Sequence, residues 1–545
     1  MNGYLILLLH AHLPYVRHPE HEYSLEENWL FEAMRETYIP LLDLLERMVN
    51  DGISPHLTLS ISPPLIEMLN DELLRKRFVR YMDNLIELSE AEKKRTKGSA
   101  FESVAFLYNN EFKKIRHLYL ERYKQDLVSA FRRLQDEGHI EIVATAATHA
   151  FLPAFENYPD TVRAQIEIGV KSYVHNFGRQ PSGFWIPECG YFKGLDSLLK
   201  DAGIRYFFLE SHGIIHGRPR PKYSIYSPVL SPAGLTVLGR DFKSARQVWC
   251  ASRGYPGEPS YRDFYRDIGF DLPMDYIKQF TRLGNIRTFT GIKYHSITGN
   301  TENKLPYNRI RAMEMVSEHA RHFVGSRESD IERLSEFGHF SELGGPVIFS
   351  AFDAELFGHW WFEGIEWLNI VLRSTSEGKR SFDIVTPERY FNEYVNSDTM
   401  QSIQISSSSW GEGGYNSLWI GEKNHHLYRH IHKMAERMKV LKELRVKSYE
   451  LRVKEIPNSK LRTPNSKLLL QRAINQAKRE MLLAQASDWP FLMQKGRASE
   501  YAERRVMRHI ERFNMLFDMI MSGNVEESIL KSMEESNRIF LHFAF

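Results

Sequence analysis

Tyr4-Leu5-Ile6-Leu7-Leu8-Leu9 is a continuous apolar run that ends at His10. A run of this kind predicts a strand buried on both faces, as in parallel sheets. The run is short, carries no basic leader and meets a histidine, so we interpret it as a strand rather than as a signal peptide.

Further short apolar runs follow this first one, with helical patterns such as Leu30–Met48 and Asp160–Asn176 between them. These runs are Leu57–Ile61, Ile140–Ala144, Gly183–Ile186, Tyr206–Leu209, Thr236–Leu238 and Val347–Ser350. Alternation of strand and helix predicts an α/β fold with a parallel sheet, either open or closed into a barrel.

Polar residues cluster directly after these strands. They are His10 and His12, His149, Glu188, Arg240 and Asp241, and Asp353. The carboxyl ends of barrel strands open on one face, where active sites lie, so we expect these side chains to share one site.

The chain has 545 residues, which fits a barrel of about 250 to 400 residues with an appendage. After about residue 420 the sequence shows helical patterns and no convincing strand. We therefore predict a catalytic domain over residues 1–420 and a helical domain over residues 421–545 that contributes to the active-site cleft.

Composition excludes several classes of protein. The net charge of +2 does not suggest a nucleic-acid partner. The sequence contains no stretch of 18 apolar residues of the kind that would predict a membrane span. Cys189 and Cys250 are the only cysteines, which excludes a disulfide framework and favours the cytoplasm.

Two acids stand in matched surroundings. Glu188 follows a strand within Gly183–Tyr191, and Asp353 follows another within Phe349–Trp361; aromatic residues flank both. Partial desolvation there can raise the pKa of a carboxyl enough for general acid catalysis near neutral pH. Cleavage of a glycosidic bond requires such a pair, although either acid alone would more often be structural.

Histidines and a glycine-rich loop accompany the acids. Neutral His10, His12 and His149 can donate hydrogen bonds to sugar hydroxyls; metal binding is the alternative, and we expect neither a metal nor a cofactor. The loop Ser409–Asn416 carries Trp410 and lacks the Gly-Lys-Ser/Thr of a phosphate-binding loop. It is either an aromatic platform for a sugar or a surface turn with a packed tryptophan.

A seven-residue repeat occurs in the basic part of the helical region. Glu443-Leu444-Arg445-Val446-Lys447 recurs at 450–454, and Asn458-Ser459-Lys460-Leu461 recurs at 465–468. A coiled coil needs more heptads, so we interpret residues 443–468 as an exposed, mobile insertion without a catalytic role.

Together these segments resemble glycoside hydrolase family 57. The matching motifs are His10–Tyr15, Ala146–Pro153, Trp185–Tyr191, Phe349–Asp353 and the Trp410 loop, in order across some 400 residues. The resemblance implies a (β/α)7 barrel followed by an all-α domain and a retaining, two-step mechanism. It makes Glu188 the nucleophile and Asp353 the acid/base, with carboxyls about 5–5.5 Å apart.

Within the family the chain is similar to the 1,4-α-glucan branching enzymes. The similarity rests on Gly239–Asp241, Gln247–Trp249, Gly254–Gly257 and Ser487–Phe491. It implies an α-glucan substrate (amylose, amylopectin or glycogen) and transfer of α-1,4 segments to 6-hydroxyls. The implied or candidate substrate-binding residues are His10, His12, His149, Trp185, Arg240, Gly257, Trp410, Asp488 and Arg497.

One departure leaves alternatives open. Some branching members carry a long loop with a tyrosine before the position of Gly239, whereas residues 227–234 here are short and lack tyrosine. A lid keeps water from the covalent intermediate, so an α-amylase or a 4-α-glucanotransferase is the runner-up. A metal-dependent carbohydrate deacetylase is another alternative, but this sequence lacks the early Asp-Asp pair and the HxxxH that such an enzyme would carry. A catalytically dead glucan-binding protein is a third, but it would not need both acids. The sequence does not indicate an oligomeric state.

Overall fold

The computed structural model describes residues 3–250, 254–337, 340, 344–374, 380–395, 397–450 and 464–543. Its strands are β1 Gly3–Ala11, β2 Leu57–Ile61, β3 Ile140–Thr145, β4 Gly183–Trp185, β5 Tyr206–Glu210, β6 Val229–Leu230, β7 Thr236–Arg240, β8 Val347–Asp353 and β9 Phe382–Ile384. All seven predicted strands are present.

The helices lie between and after these strands. They are α1 Glu27–Ala33, α2 Ile39–Asn50, α3 Pro63–Asn70, α4 Glu72–Arg95, α5 Glu102–His117, α6 Leu127–Asp136, α7 Pro159–Phe177, α8 Leu195–Asp201, α9 Ser211–Ile215, α10 Phe242–Trp249, α11 Ile268–Asp271, α12 Met274–Thr281, α13 Arg309–Phe337, α14 Gly364–Arg373, α15 Pro387–Glu393, α16 Tyr428–Glu450, α17 Pro464–Ala484, α18 Asp488–Lys495, α19 Ser499–Ser522 and α20 Glu527–Ser536.

The strands pair in parallel in the order β1–β2–β3–β4–β5–β7–β8, and β8 pairs again with β1. The sheet therefore closes, which confirms the predicted (β/α)7 barrel. Two short strands lie outside it: β9 pairs with the start of β1, and β6 pairs antiparallel with β7.

Alternation along β1 shows how the core is divided. Tyr4, Ile6 and Leu8 pack inside the barrel in one apolar cluster, whereas Leu5 and Leu7 pack outward in the larger cluster that includes the helices. Every residue of β1 is buried. Since both faces are covered by apolar side chains, the continuous apolar run has a direct structural cause.

The segment before β7 lies at the end of that strand opposite Arg240. Val229 of β6 pairs with Val237 and Leu230 pairs with Thr236, so the turn between β6 and β7 closes at the amino end of β7. Residues 227–234 are therefore a hairpin below the barrel, and their short length does not uncover the carboxyl face. This corrects the expectation that residues 227–234 stand in the place of a loop that covers the active site.

The C-terminal region is helical, as predicted: over residues 421–450 and over residues 464–543, the structure contains helices and turns without a strand. Helix α17 packs against α19 and joins the barrel loop after β3. There the Thr148 hydroxyl donates to the Leu482 carbonyl at 2.5 Å, and Ala150 forms a bridge with Ala486. The division at residues 420/421 stays a prediction.

The first copy of the repeat, Glu443–Lys447, lies in α16, and residues 464–468 begin α17. Residues 451–463 lie outside the described part of the chain, so the predicted insertion is not tested. No helix among the described residues has the length and apolarity to cross a bilayer. Cys189 and Cys250 are not in a disulfide.

Candidate active site

Glu188 lies in a tight turn at the carboxyl end of β4. Its backbone is left-handed, with φ 59° and ψ 18°, and Cys189 follows with φ 50°. The Trp410 amide donates to the Glu188 carbonyl at 2.9 Å and holds this turn. A non-glycine residue pays about 1–2 kcal/mol for this conformation, and such strain concentrates at functional sites.

Two donors reach the Glu188 carboxyl. The Trp410 indole Nε1–H donates to Oε2 at 2.6 Å, and the Ser487 hydroxyl donates to Oε1 at 2.8 Å. Burial raises the pKa of Glu188 to about 7; the two donors oppose this rise, and the charges of Asp488 and Asp353 add to it. Asp353 is therefore close enough to act electrostatically on Glu188, although the predicted spacing of about 5–5.5 Å for a retaining pair stays a prediction.

Asp353 is the last residue of β8 and pairs in register with His10 of β1. Burial raises the pKa of Asp353 to about 6, and the positive charges of Arg240 and His12 limit the rise. Arg240, the last residue of β7, donates to the Ala351 carbonyl at 2.9 Å and to Glu210 at 3.1 Å. Its guanidinium lies 5.2 Å from the Trp410 ring centroid, so β7 supplies both a cation and support for that ring.

The three predicted histidines form one stack. The rings of His12 and His149 lie 3.8 Å apart, and those of His10 and His149 lie 4.8 Å apart. His10 and His12 are two positions apart, and residues at this spacing along an extended chain point to the same side, so their rings lie 5.8 Å apart. Burial lowers the pKa of His10 and of His149 well below the ordinary value, so both rings are neutral near pH 7.

His12 joins the barrel to the helical region. Its Nε2 lies 3.0 Å from Oδ2 of Asp488, the first residue of α18, and its Nδ1 lies 2.8 Å from the Ser62 hydroxyl. Burial alone would lower the pKa of His12, but the charge and hydrogen bond of Asp488, together with the charges of Glu188 and Glu355, outweigh burial and raise it. The helical region thus contributes directly to this site.

The remaining predicted residues fall into two groups. Trp185 is 0% exposed and lies inside the barrel with its ring 5.1 Å from that of Trp410, so it packs beneath that indole and presents no face to a ligand. Gly257 lies in a turn whose Tyr255 stacks on α13, and Arg497 is exposed in the turn after α18. Within the described chain neither is hydrogen bonded to the two acids, and their roles stay predictions.

Sequence reasoning missed several residues of the site. Ser487 bonds to Glu188, and Glu355 accepts from the Tyr38 hydroxyl and, at 3.2 Å, from the His12 amide. Burial raises the pKa of Glu355 to about 7. Both residues stand within two positions of a predicted residue, so closer attention to polar neighbours in the motifs would have included them.

Exposure separates the cluster into a wall and a support. Glu188, Asp353, His12, Arg240, Trp410 and Asp488 are partly exposed, whereas His10, His149, Trp185 and Ser487 are buried. Across the described ranges no group of three or more His, Cys, Asp or Glu side chains is placed to bind a metal. The wall offers two carboxyls of raised pKa, a cation and an indole, which together suit the cleavage of a bond in a neutral polyhydroxyl substrate.

Comparison with known proteins agrees with this chemistry. Residues 6–330 match glycosyl hydrolase family 57, and residues 430–545 match the family described as 1,4-alpha-glucan branching enzyme, C-terminal. The chain is 33% identical to the 1,4-alpha-glucan branching enzyme TK1436 of Thermococcus kodakarensis, over 99% of this chain and 78% of that relative.

Two solved structures are similar over nearly their whole length. The alpha-amylase AmyC from Thermotoga maritima has a TM-score of 0.88 and 40% identity, covering 100% of this chain and 98% of its own. The GH57-type branching enzyme of Pyrococcus horikoshii has a TM-score of 0.84 and 32% identity, covering 100% and 96%. This chain belongs to glycosyl hydrolase family 57.

Proposed function

We propose that this protein is a 1,4-α-glucan branching enzyme that transfers α-1,4-glucan segments to 6-hydroxyls with retention of configuration. The observation that carries the proposal is the helical region, residues 430–545. This region matches the C-terminal model of branching enzymes. Its Ser487 is hydrogen bonded to Glu188, and its Asp488 is hydrogen bonded to His12.

The hydrogen-bond donors around the two acids support the roles that we propose for them. Glu188 receives Trp410 Nε1–H and the Ser487 hydroxyl, and donors of this kind stabilise a carboxylate. No described residue donates to the Asp353 carboxyl, so Asp353 loses no hydrogen bond when it is protonated. Glu188 is therefore the nucleophile and Asp353 the acid/base.

The reaction then has two steps. Glu188 attacks the anomeric carbon while Asp353 gives its proton to the departing glycosidic oxygen, leaving a covalent glycosyl ester. Asp353 next takes the proton of an acceptor 6-hydroxyl, whose oxygen displaces Glu188 and forms an α-1,6 bond. With water as acceptor the same step is hydrolysis.

The two carboxyls titrate as a coupled pair. Burial gives Glu188 a pKa of about 7 and Asp353 a pKa of about 6, and the active form of the pair holds one proton, on Asp353. Because the pKa of Glu188 is the higher, the single proton resides more often on Glu188, and the active form is the minor one of the two. We therefore expect a narrow pH optimum, with activity lost below about pH 6 as the pair gains its second proton and above about pH 7 as it loses both.

The wall of the site provides the contacts for the glucan. We propose that Trp410 stacks on a sugar face and that His12, Arg240 and Asp488 bond to sugar hydroxyls. Gly257 and Arg497 extend the binding surface, as the family resemblance implies. His10 and His149 act behind this wall, because their exposed fractions are only 2%.

An α-amylase is the second candidate, favoured by the 40% identity to AmyC. Acceptor choice separates the two candidates, since the first step is common to both. The hairpin at 227–234 closes at the amino end of β7 and so does not exclude water from the carboxyl face.

Two cysteines outside disulfides favour a reducing compartment, and on that basis we place the enzyme in the cytoplasm. We also propose that its two domains are divided near residue 420.

Proton NMR of amylose before and after incubation tests the proposal. New α-1,6 anomeric signals without an equal gain in reducing ends are expected; reducing ends with no α-1,6 signals would mean an amylase. Glu188→Gln should abolish turnover while leaving glucan binding intact. Glu67→Gln is the matched control, because burial also raises the pKa of Glu67 to about 7 although it lies on α3, outside the site.

A further inference from the structure

We propose that Ser487 is a positioning residue that holds the Glu188 carboxyl for attack, as the last member of a hydrogen-bonded chain that begins at Ser60. This inference rests on the role of Glu188 as the nucleophile. It gives the helical region a task in the chemical step in addition to binding the glucan.

The hydrogen-bonded chain crosses the barrel through two histidines. Ser60 Oγ lies 3.1 Å from His10 Nδ1, and His10 Nε2 lies 2.8 Å from His149 Nε2. His149 Nδ1 lies 2.8 Å from Ser487 Oγ, which donates to Glu188 Oε1 at 2.8 Å. Five side chains are thus linked in series from β2 to the nucleophile.

Only one order of protons suits an ionised Glu188. Because Ser487 donates to the carboxylate, its oxygen accepts from His149 Nδ1–H. His149 is neutral, so its Nε2 accepts from His10 Nε2–H, and His10 Nδ1 then accepts from the Ser60 hydroxyl. Every member has its partner, and the carboxylate receives a donor whose direction is set by the whole chain.

The reverse order belongs to the protonated acid. Trp410 Nε1–H can only donate, so it keeps the proton away from Oε2 and places it on Oε1. Glu188 then donates to Ser487, and each hydrogen bond of the chain reverses until Ser60 accepts. The chain therefore couples the ionisation of Glu188 to the tautomers of both histidines.

Ser487 is held firmly enough to act in this way. It is 1% exposed, and its amide donates to the His149 carbonyl at 3.0 Å. His149 itself has a left-handed backbone with φ 55°. The serine hydroxyl and the imidazole it contacts are thus fixed to each other by backbone as well as by side chains.

Other charged groups around Glu188 influence its ionisation. His12 faces it from the residue directly after β1 and His149 from the loop after β3, and His149 Nδ1 lies 3.7 Å from Glu188 Oε1. Asp353 of β8 and Asp488 of α18 are the neighbouring acids, and Arg240 of β7 acts on Asp353. A substitution at Ser487 removes the hydrogen-bond partner of His149 Nδ1 and leaves the side-chain hydrogen bonds of His12, Asp488 and Arg240 in place, so the measured effect is that of breaking the hydrogen-bonded chain at its last link.

The test is the pH profile of kcat/KM of the full chain on amylose for Ser487→Ala. Loss of one donor to the carboxylate disfavours ionisation and raises the pKa of Glu188, which is the higher of the two and sets the alkaline limb. That limb should therefore move up by about one pH unit, with an approximately tenfold loss of kcat/KM at pH 6 and little loss near pH 9. KM should stay within about twofold, since Ser487 is buried behind the wall. Ser172→Ala is the matched control: Ser172 is buried on α7, and its hydroxyl has no partner among the described residues.

An alkaline limb that coincides with that of the unaltered enzyme overturns the inference. If alanine impairs folding, Ser487→Cys carries the test, because a thiol keeps the volume and donates only weakly; its limb must also move up. Glu188→Gln separates this failure from failure of the proposed function. Turnover by Glu188→Gln would refute the nucleophile itself, whereas an inactive Glu188→Gln with an unmoved Ser487→Ala limb refutes only the chain.

Discussion

Trp410→Phe removes one atom group with a defined role. The indole Nε1–H donates to Glu188 Oε2 at 2.6 Å, whereas the backbone N–H of the same residue holds the Glu188 carbonyl and is unaffected. Phenylalanine keeps an aromatic ring above Trp185 and beside Arg240. The substitution therefore isolates the donor from the support that the ring gives to the turn.

The size of the effect follows from the chemistry of this bond. A hydrogen bond to a charged group contributes about 1.5–3 kcal/mol, which corresponds to a rise of about 1–2 units in the pKa of Glu188. Because the pKa of Glu188 is the higher of the pair, the alkaline limb of kcat/KM should move up by that amount from its start near pH 7. At pH 6 the ionised fraction, and with it kcat/KM, should fall about tenfold to a hundredfold.

The assay is kcat/KM on amylose from about pH 4.5 to about pH 9, measured as loss of iodine staining and as new reducing ends. Trp367→Phe is the matched control: Trp367 is fully buried, and its Nε1 has no partner in the described part of the chain. It should lower thermal stability without moving the limb. A Trp410→Phe enzyme with reduced kcat and an unmoved alkaline limb would refute the assigned role of the indole.

Two further substitutions test charges that support the fold and the site. Burial raises the pKa of Glu141 from 4.5 to about 8, so the native state binds an extra proton and loses stability as pH rises toward 8. The amide of Glu141→Gln can still pair with Tyr206 and the Glu388 amide. In denaturant unfolding this variant should be more stable than the unaltered protein by about 4 kcal/mol near pH 8 and show little difference near pH 4.5. Asp488 raises the pKa of His12, and the resulting stabilisation is present at low pH and lost as pH rises through that pKa. Asp488→Asn should therefore lower the melting temperature more at pH 5.5 than at pH 9. An equal loss at both pH values would contradict the ion pair.

The barrel was predictable because its strands are apolar on both faces, so each appears as a short continuous run. Strand ends were less accurate. β8 continues to Asp353 and β1 to Ala11, because His10 and Asp353 remain paired in the ladder although their side chains are polar. β6 and β9 have only two and three residues, too few for any periodic pattern to show.

The two acids were predictable because each stands within a contiguous motif at a strand end. Ser487 stands beside the predicted Asp488, but its partner was not predictable, and neither was that of Tyr38, because both partners lie far away in the chain. Ser487 contacts Glu188 across 299 positions, and Tyr38 contacts Glu355 across 317. Trp185 shows the opposite error. It stands two residues before the strand-end turn of Glu188, yet alternation along β4 points it into the barrel.

Backbone conformation explains why the site needs the end of the chain. His149 and Glu188 both adopt a left-handed backbone, which a non-glycine residue keeps only when its surroundings compensate for the strain. The compensation comes from later segments: the Ser487 amide bonds to the His149 carbonyl, and the Trp410 amide bonds to the Glu188 carbonyl. Both amides belong to residues whose side chains also bond to the Glu188 carboxyl. The last third of the sequence therefore fixes both the backbone and the charge of the nucleophile, and a barrel lacking that part would retain the acids without the geometry that orients them.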